Sequence, residues 1–206
     1  MSRRRDGLER RDALLDAALR CFSGSGILAV GIEEIRREAN ANPSSVYNLF
    51  SNIGDLTLAL LVRTFERLFS HLAERVVETK SAKAIVTTLV EAHIEWILGH
   101  PDQGRFMYQA TALELVSNAR EDLLRRKTEL LAPIAEHLKP FVQTGQLPDW
   151  SVLQFDVVLL GSSHEACRRF LAGAPLDASW MRSTLPRLAW RSIAAELSSA
   201  RRGGRQ

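Results

Sequence analysis

An all-α fold follows from three features of this sequence. Apolar residues recur at helical spacing along most of its length, no stretch alternates as a strand does, and Gly and Pro punctuate the periodic segments. With 206 residues the chain can bury a substantial core, as one large domain or as a small domain joined to a larger one. Apolar residues make up 46% and charged residues 25%, an ordinary balance for a soluble globular protein. Apolar runs such as Val157 to Leu160 fall far short of a membrane span. Arg3-Arg4-Arg5 is basic but lacks the apolar region of a signal peptide behind it, so a cytoplasmic protein is expected. Cys21 and Cys167 have neither CxxC spacing nor a paired His motif and read as reduced, buried thiols.

The elements follow in order. Leu14, Leu15, Ala18, Leu19 and Phe22 form one helical stripe, which Gly24 and Gly26 end. A second, short helix is expected from Ile32 to Ala39, with Ile32, Ile35 and Ala39 inward and Glu33 and Glu34 at its positive end. After Asn40-Ala41-Asn42 comes a third helix from Pro43 to Phe50, Asn42 being its N-cap and Pro43 its first residue. A fourth opens at Asn52, with Asp55 in the capping position, and carries the stripe Leu56, Leu60, Phe65, Leu68, Phe69, Leu72 and Val76. Longer helices are expected at 82–99, 102–116, 120–144, 150–172 and 178–200, separated by stops such as Gly145-Gln146-Leu147-Pro148 and Gly173-Ala174-Pro175.

Charge is informative by its distribution more than by its sum of +3. Residues 1–11 hold five Arg, including Arg11, against Asp6 and Glu9, and an arm of this kind suits phosphate. The Arg-rich tail from Arg201 to Gln206 reads as a solubility feature. Within residues 32–50, two short helices meet at a tight turn, where Asn40 tolerates the left-handed conformation. Val46, Leu49 and Phe50 face inward, leaving Ser44, Ser45, Tyr47 and Asn48 outward. Hydroxyls, a phenol and an amide on one exposed helix face suit hydrogen bonding to phosphates and base edges, as in a helix-turn-helix.

The order of residues from Arg11-Asp12-Ala13-Leu14-Leu15 through Ala18-Leu19-Arg20-Cys21-Phe22, Ile32-Glu33-Glu34-Ile35 and Val46-Tyr47-Asn48-Leu49-Phe50 to Asp55-Leu56 closely resembles the TetR/AcrR family of bacterial transcriptional regulators. The match covers roughly residues 10 to 62. The resemblance implies an all-α homodimer with a DNA-binding domain over residues 1–52 and a ligand-binding and dimerisation domain over 53–206. It also implies repression of a palindromic operator, relieved by a small molecule. Tyr47 matches the family's phosphate-contacting tyrosine, Ser45 a hydroxyl that touches backbone or base, and Asn48 a polar base-reading position. Ser44 stands where the family commonly has Gly. Three departures accompany the match. Ile53 replaces a phosphate-contacting Lys, Asn40 replaces the turn Gly, and Arg36 replaces a small packing residue, so that it is expected to swing out towards a phosphate.

Beyond residue 80 the resemblance rests on helix pattern alone. The helix at 150–172 is apolar around most of its circumference and must be buried on more than one side. Its Gly161, Ser162 and Ala166, with Leu185, Leu188 and Ile193 of the last helix, are expected to pair against a second copy. A set of polar and aromatic groups on apolar faces, namely His93, Trp96, Phe106, Tyr108, His164 and Arg168, suits the lining of a ligand cavity. His164 and Arg168 form an i, i+4 pair, and Glu114 lies near this set. Catalysis has little support: there is no phosphate loop, nucleophile elbow or metal-spaced His/Glu pair, and no cofactor or metal is expected. The alternative to a ligand-released repressor is a dimer of the same type acting through a protein partner, without an inducer.

Overall fold

The computed structural model describes residues 2–112 and 120–203. Among the described residues every regular element is helical. The chain divides into two compact units, Met1–Thr64 with Asp102–Leu123, and Phe65–Pro101 with Leu124–Gln206.

The first unit contains α1 (Ser2–Ser25), a 3-10 turn (Ile27–Ala29), α2 (Ile32–Glu38) and α3 (Pro43–Tyr47). It also takes the first half of α4 (Ile53–Val76) and all but the first residue of α6 (Pro101–Ala112). The stripe of α1 buries Leu14, Leu15, Ala18 and Phe22, and Ile35, Val46, Phe50, Leu56 and Leu60 are buried in the same unit. Burial of side chains this size stabilises by roughly 1.5–3 kcal/mol each, which is why so short a helix as α3 persists. Phe22 stacks on Phe106 of α6 with centroids 5.6 Å apart. Arg63, nearly buried, reaches from α4 to α1, where its guanidinium lies 2.7 Å from Asp16 and also meets the Asp12 carbonyl. Arg20 ties α1 to Glu38 of α2 at 2.7 Å.

The second unit holds the rest of α4, α5 (Ala82–Gly99), α7 (Arg120–Gln143) from Leu124 onward, α8 (Val152–Phe155), α9 (Gly161–Leu171) and α10 (Ala178–Gly203). α10 packs along α5, and both touch α9. Its core is built from Leu68 and Leu72, Ile85, Val86 and Ile97, Leu131 and Leu138, and Met181 and Ile193. Among the described residues, no helix is long and apolar enough to cross a membrane.

Three differences from the sequence expectation have physical reasons. α1 reaches back to Ser2, so the backbone of the basic arm continues the helix. α3 ends at Tyr47 rather than Phe50, because Leu49 N–H bonds to the Val46 carbonyl three residues back, a tightening that turns Phe50 into the core. The helix expected from Trp150 to Ala172 is interrupted. α8 starts at a capping box between Ser151 and Gln154, and a π-helical turn over Asp156–Leu160 follows before α9. The wider turn leaves Val157 69% and Val158 38% exposed, while Leu159 and Leu160 are buried. Residues 113–116 of the helix expected at 102–116, Glu114 among them, and residues 204–206 of the C-terminal tail lie outside the described residues.

Candidate functional site

The turn between α2 and α3 is closed by backbone bonds from Asn40 N–H to the Arg37 carbonyl and from Ala41 N–H to the Arg36 carbonyl, 3.0 Å each. Asn40 takes a φ of 49°, the left-handed conformation that Asn tolerates better than most residues. Asn42 occupies the N-cap of α3 but makes no side-chain capping bond, so Pro43 at the first helical position and the packing of Val46 start the helix.

Arg36 does not swing out. Its Nη1 donates to the Ala41 carbonyl at 3.0 Å and its Nε to Glu33 Oε2 at 2.8 Å, so it braces the turn from within. The other Glu33 oxygen accepts from the Tyr47 hydroxyl at 3.2 Å. Arg36 beside Glu33 holds the Glu33 carboxyl below the usual carboxylate range, with a smaller contribution from Tyr47. Tyr47 is half exposed, Ser44 and Asn48 are exposed, and Ser45 is half-buried. The guanidinium of Arg11 lies over the Phe50 ring at 5.7 Å. An open groove of about 210 Å³ beside α3 is lined by Arg10, Asn40, Asn42 and Ser45, among others. The face is thus rich in hydrogen-bonding groups on a short helix held from behind by apolar packing.

The residues expected to line a cavity are divided between the two units. Phe106 and Tyr108 belong to the first unit, and Phe106 is spent on Phe22. Trp96, buried, stacks on His100 at 4.8 Å. Arg168 is exposed and bonds Glu165, with both contacts at 2.7 Å. His93 and His164 do come together, with ring nitrogens 3.0 Å apart.

The proton positions in this pair follow from one hydroxyl. Ser163 Oγ donates to the Leu160 carbonyl at 2.9 Å, so its single proton is used. His93 Nδ1, 3.0 Å from that oxygen, must therefore be the donor. His93 Nε2 is then the acceptor for His164 Nδ1–H. Burial holds His93 well below the usual histidine range. Burial likewise brings His164 down to about 4, opposed by the Asp156 charge and aided by that of Lys127. Both imidazoles are neutral at pH 7.

Sequence reasoning missed the groups beside them. Lys127 Nζ lies 2.6 Å from Asp156 Oδ2, with the Asp156 side chain only 10% exposed. Asp156 is a lone acid within an apolar run, a signal visible in the sequence. Lys127, in the charged stretch Arg125-Arg126-Lys127, carries no such mark. Cys167 is buried, which pushes its thiol up to about 12 and leaves it a poor nucleophile.

Of the residues expected at a dimer contact, Ala166, Leu185 and Ile193 are buried within their own unit. Leu188 is 42% exposed, Ser162 is exposed, and a Cβ placed on Gly161 would meet nothing within 4 Å. Together with Val157 and Val158 these leave apolar surface on the π turn and α10.

Three N-terminal helices, of which the short third carries an exposed polar face, in a chain with a second helical unit, define a helix-turn-helix protein of the all-α class. Residues 14–60 match the model of the bacterial regulatory proteins of the tetR family. An HTH-type transcriptional regulator of Bacillus subtilis, the uncharacterised YobS, is 26% identical over 111 residues. That match covers 54% of this chain and 55% of the relative, so the chain spans about half the length of the curated relative it matches. A TetR family transcription regulator from Marinobacter aquaeolei has a similar fold, with a TM-score of 0.75 at 16% identity, over 94% of this chain and 98% of that one. FadR from Bacillus subtilis, solved with stearoyl-CoA, matches with a TM-score of 0.65 at 15% identity, over 86% and 96% of the two chains. The likeness to the tetR family thus rests on residues 14–60 and on a shared helical fold.

Proposed function

We propose that the chain is a transcriptional repressor that binds a palindromic operator as a homodimer and leaves it when a small molecule enters its second unit. The observation that carries this reading is the exposed face of α3, where Ser44, Tyr47 and Asn48 stand clear on a helix that Val46 and Phe50 anchor. Arg11 stands at the end of the basic arm in the same unit. In this reading Tyr47 and Ser45 contact phosphates, which sets register, and Asn48 reads a base edge. Tyr47 releases Glu33 when its hydroxyl turns to phosphate, and Arg36 supports the turn from behind. For ligand response, the support is a polar cluster inside the second unit, where buried His93 meets half-buried His164 and where Asp156 pairs with Lys127. One solved neighbour of the same fold contains stearoyl-CoA.

The test is selection of binding sites from random duplexes, followed by shift assays at fixed salt. The selected sites should be imperfect palindromes. Tyr47→Phe should weaken binding about equally on all of them. Asn48→Ala should relax preference at one symmetric pair of positions, by roughly 1–3 kcal/mol if the contact is bidentate. Failure to select any sequence would sink the reading. An unchanged profile for Asn48→Ala would remove that residue from base reading.

A further inference from the structure

The second unit contains a cavity of about 20 Å³ between α4, α5, α7 and α8. Its lining is aliphatic and aromatic except for Asp156. The Oδ1 of that residue is buried and has no hydrogen-bond partner, although Oδ2 is held by Lys127. A buried carboxylate oxygen left unpaired keeps its full desolvation cost. The cavity has room for a single water, which needs two to four polar partners and finds one carboxylate among the side chains here. The unsatisfied acceptor therefore calls for a donor that brings its own apolar body.

A route to it is present. An open groove of about 250 Å³ lies beside the cavity and is lined by Glu136, Lys139, Asp149 and Trp150. Leu138, Val152 and Phe155 line both spaces and form the wall between them. Trp150 leans on Phe155 with centroids 5.5 Å apart. Two of these three residues belong to α8, next to the π turn. π turns inside helices occur often at functional sites.

We propose that groove and cavity together bind a compact, uncharged apolar molecule bearing a hydroxyl, which donates to Asp156 Oδ1. This deepens, and rests on, the reading of the chain as a ligand-responsive regulator. Charge sets the class. Lys127 neutralises Asp156 through the 2.6 Å pair, and His93 and His164 are neutral, so the deep end carries no net charge. A carboxylate entering there would face the Asp156 oxygen directly, and an ether would offer it no proton.

The probes are 1-octanol, its isomer 1-methoxyheptane, which has the same heavy-atom count and no donor, and octanoate. Affinity for the full-length protein is read from tryptophan fluorescence and thermal shift, with operator binding measured in parallel. Octanol should bind roughly tenfold or more tighter than the ether, as expected for a hydrogen bond to a charged acceptor, and octanoate should bind least. In Asp156→Leu combined with Lys127→Met, which strands no charge, octanol and ether should bind alike. Leu138→Trp, which fills the shared wall, should weaken both. The wild-type comparison needs no variant, so a folding failure in either one leaves the proposal testable. Equal binding of octanol and ether to wild type overturns the proposal, as does retained preference for octanol in the double variant. Octanol binding that leaves operator affinity unchanged upholds the site and refutes ligand response through it. Release of operator by other compounds, equally in wild type and in the double variant, overturns the site while ligand response stands.

Discussion

Acid should destabilise the second unit through His164, and the size of the effect can be worked out from its surroundings. Burial, the largest cause, brings its folded pKa to about 4, against 6.5 for an unperturbed histidine. A base held below its unfolded pKa binds fewer protons folded than unfolded, so its contribution to stability is present above pH 6.5 and is lost as pH falls towards 4. The full loss is roughly 3 kcal/mol, and between pH 7 and pH 5 it amounts to about 2 kcal/mol. His164→Gln is the matching perturbation, since its amide N–H still donates to His93 Nε2 and does not titrate. All four Trp, at 96, 150, 180 and 190, lie in the second unit, so fluorescence-monitored urea unfolding follows that unit. Wild type should lose about 2 kcal/mol more than His164→Gln between pH 7 and pH 5. Parallel pH dependences for the two proteins would refute the assignment of a neutral His164.

Three further outcomes follow from the geometry. At Asn40, φ of 49° predicts that Asn40→Val costs about 1–2 kcal/mol of stability in the first unit while Asn40→Gly is tolerated, measured by thermal unfolding. Arg36→Ala removes the bonds to Ala41 and Glu33 and should destabilise the same unit by about 1 kcal/mol. A shift-assay slope in log salt that is unchanged by Arg36→Ala would agree with its bracing role, and a slope reduced by about 1 would assign it a phosphate instead. A Cβ at Gly161 meets no atom of its own chain, so Gly161→Arg should fold normally, and light scattering should find the variant monomeric and the wild type dimeric. A dimeric Gly161→Arg would place the interface elsewhere.

Much of this protein is legible in its sequence because helical periodicity is a local property. The stripe of α4 from Leu56 to Val76 and that of α1 from Leu14 to Phe22 are buried almost residue for residue, since a 3.6-residue repeat fixes which side chains share a face. The left-handed turn at Asn40 was equally readable, because few residue types adopt it. The tertiary structure decided what depends on partners distant in sequence. Arg36 is drawn inward because a carbonyl and a carboxylate lie within its reach. Leu185 and Ile193 lie on the stripe expected to meet a second copy, yet the unit's own core buries them. His93 finds Ser163 and His164 some seventy residues away, not Trp96 or Arg168. The π turn that carries Asp156 towards Lys127 leaves no mark in the pattern either. An apolar run states that a segment must be buried on several sides, and only the neighbouring helices determine which residues turn in.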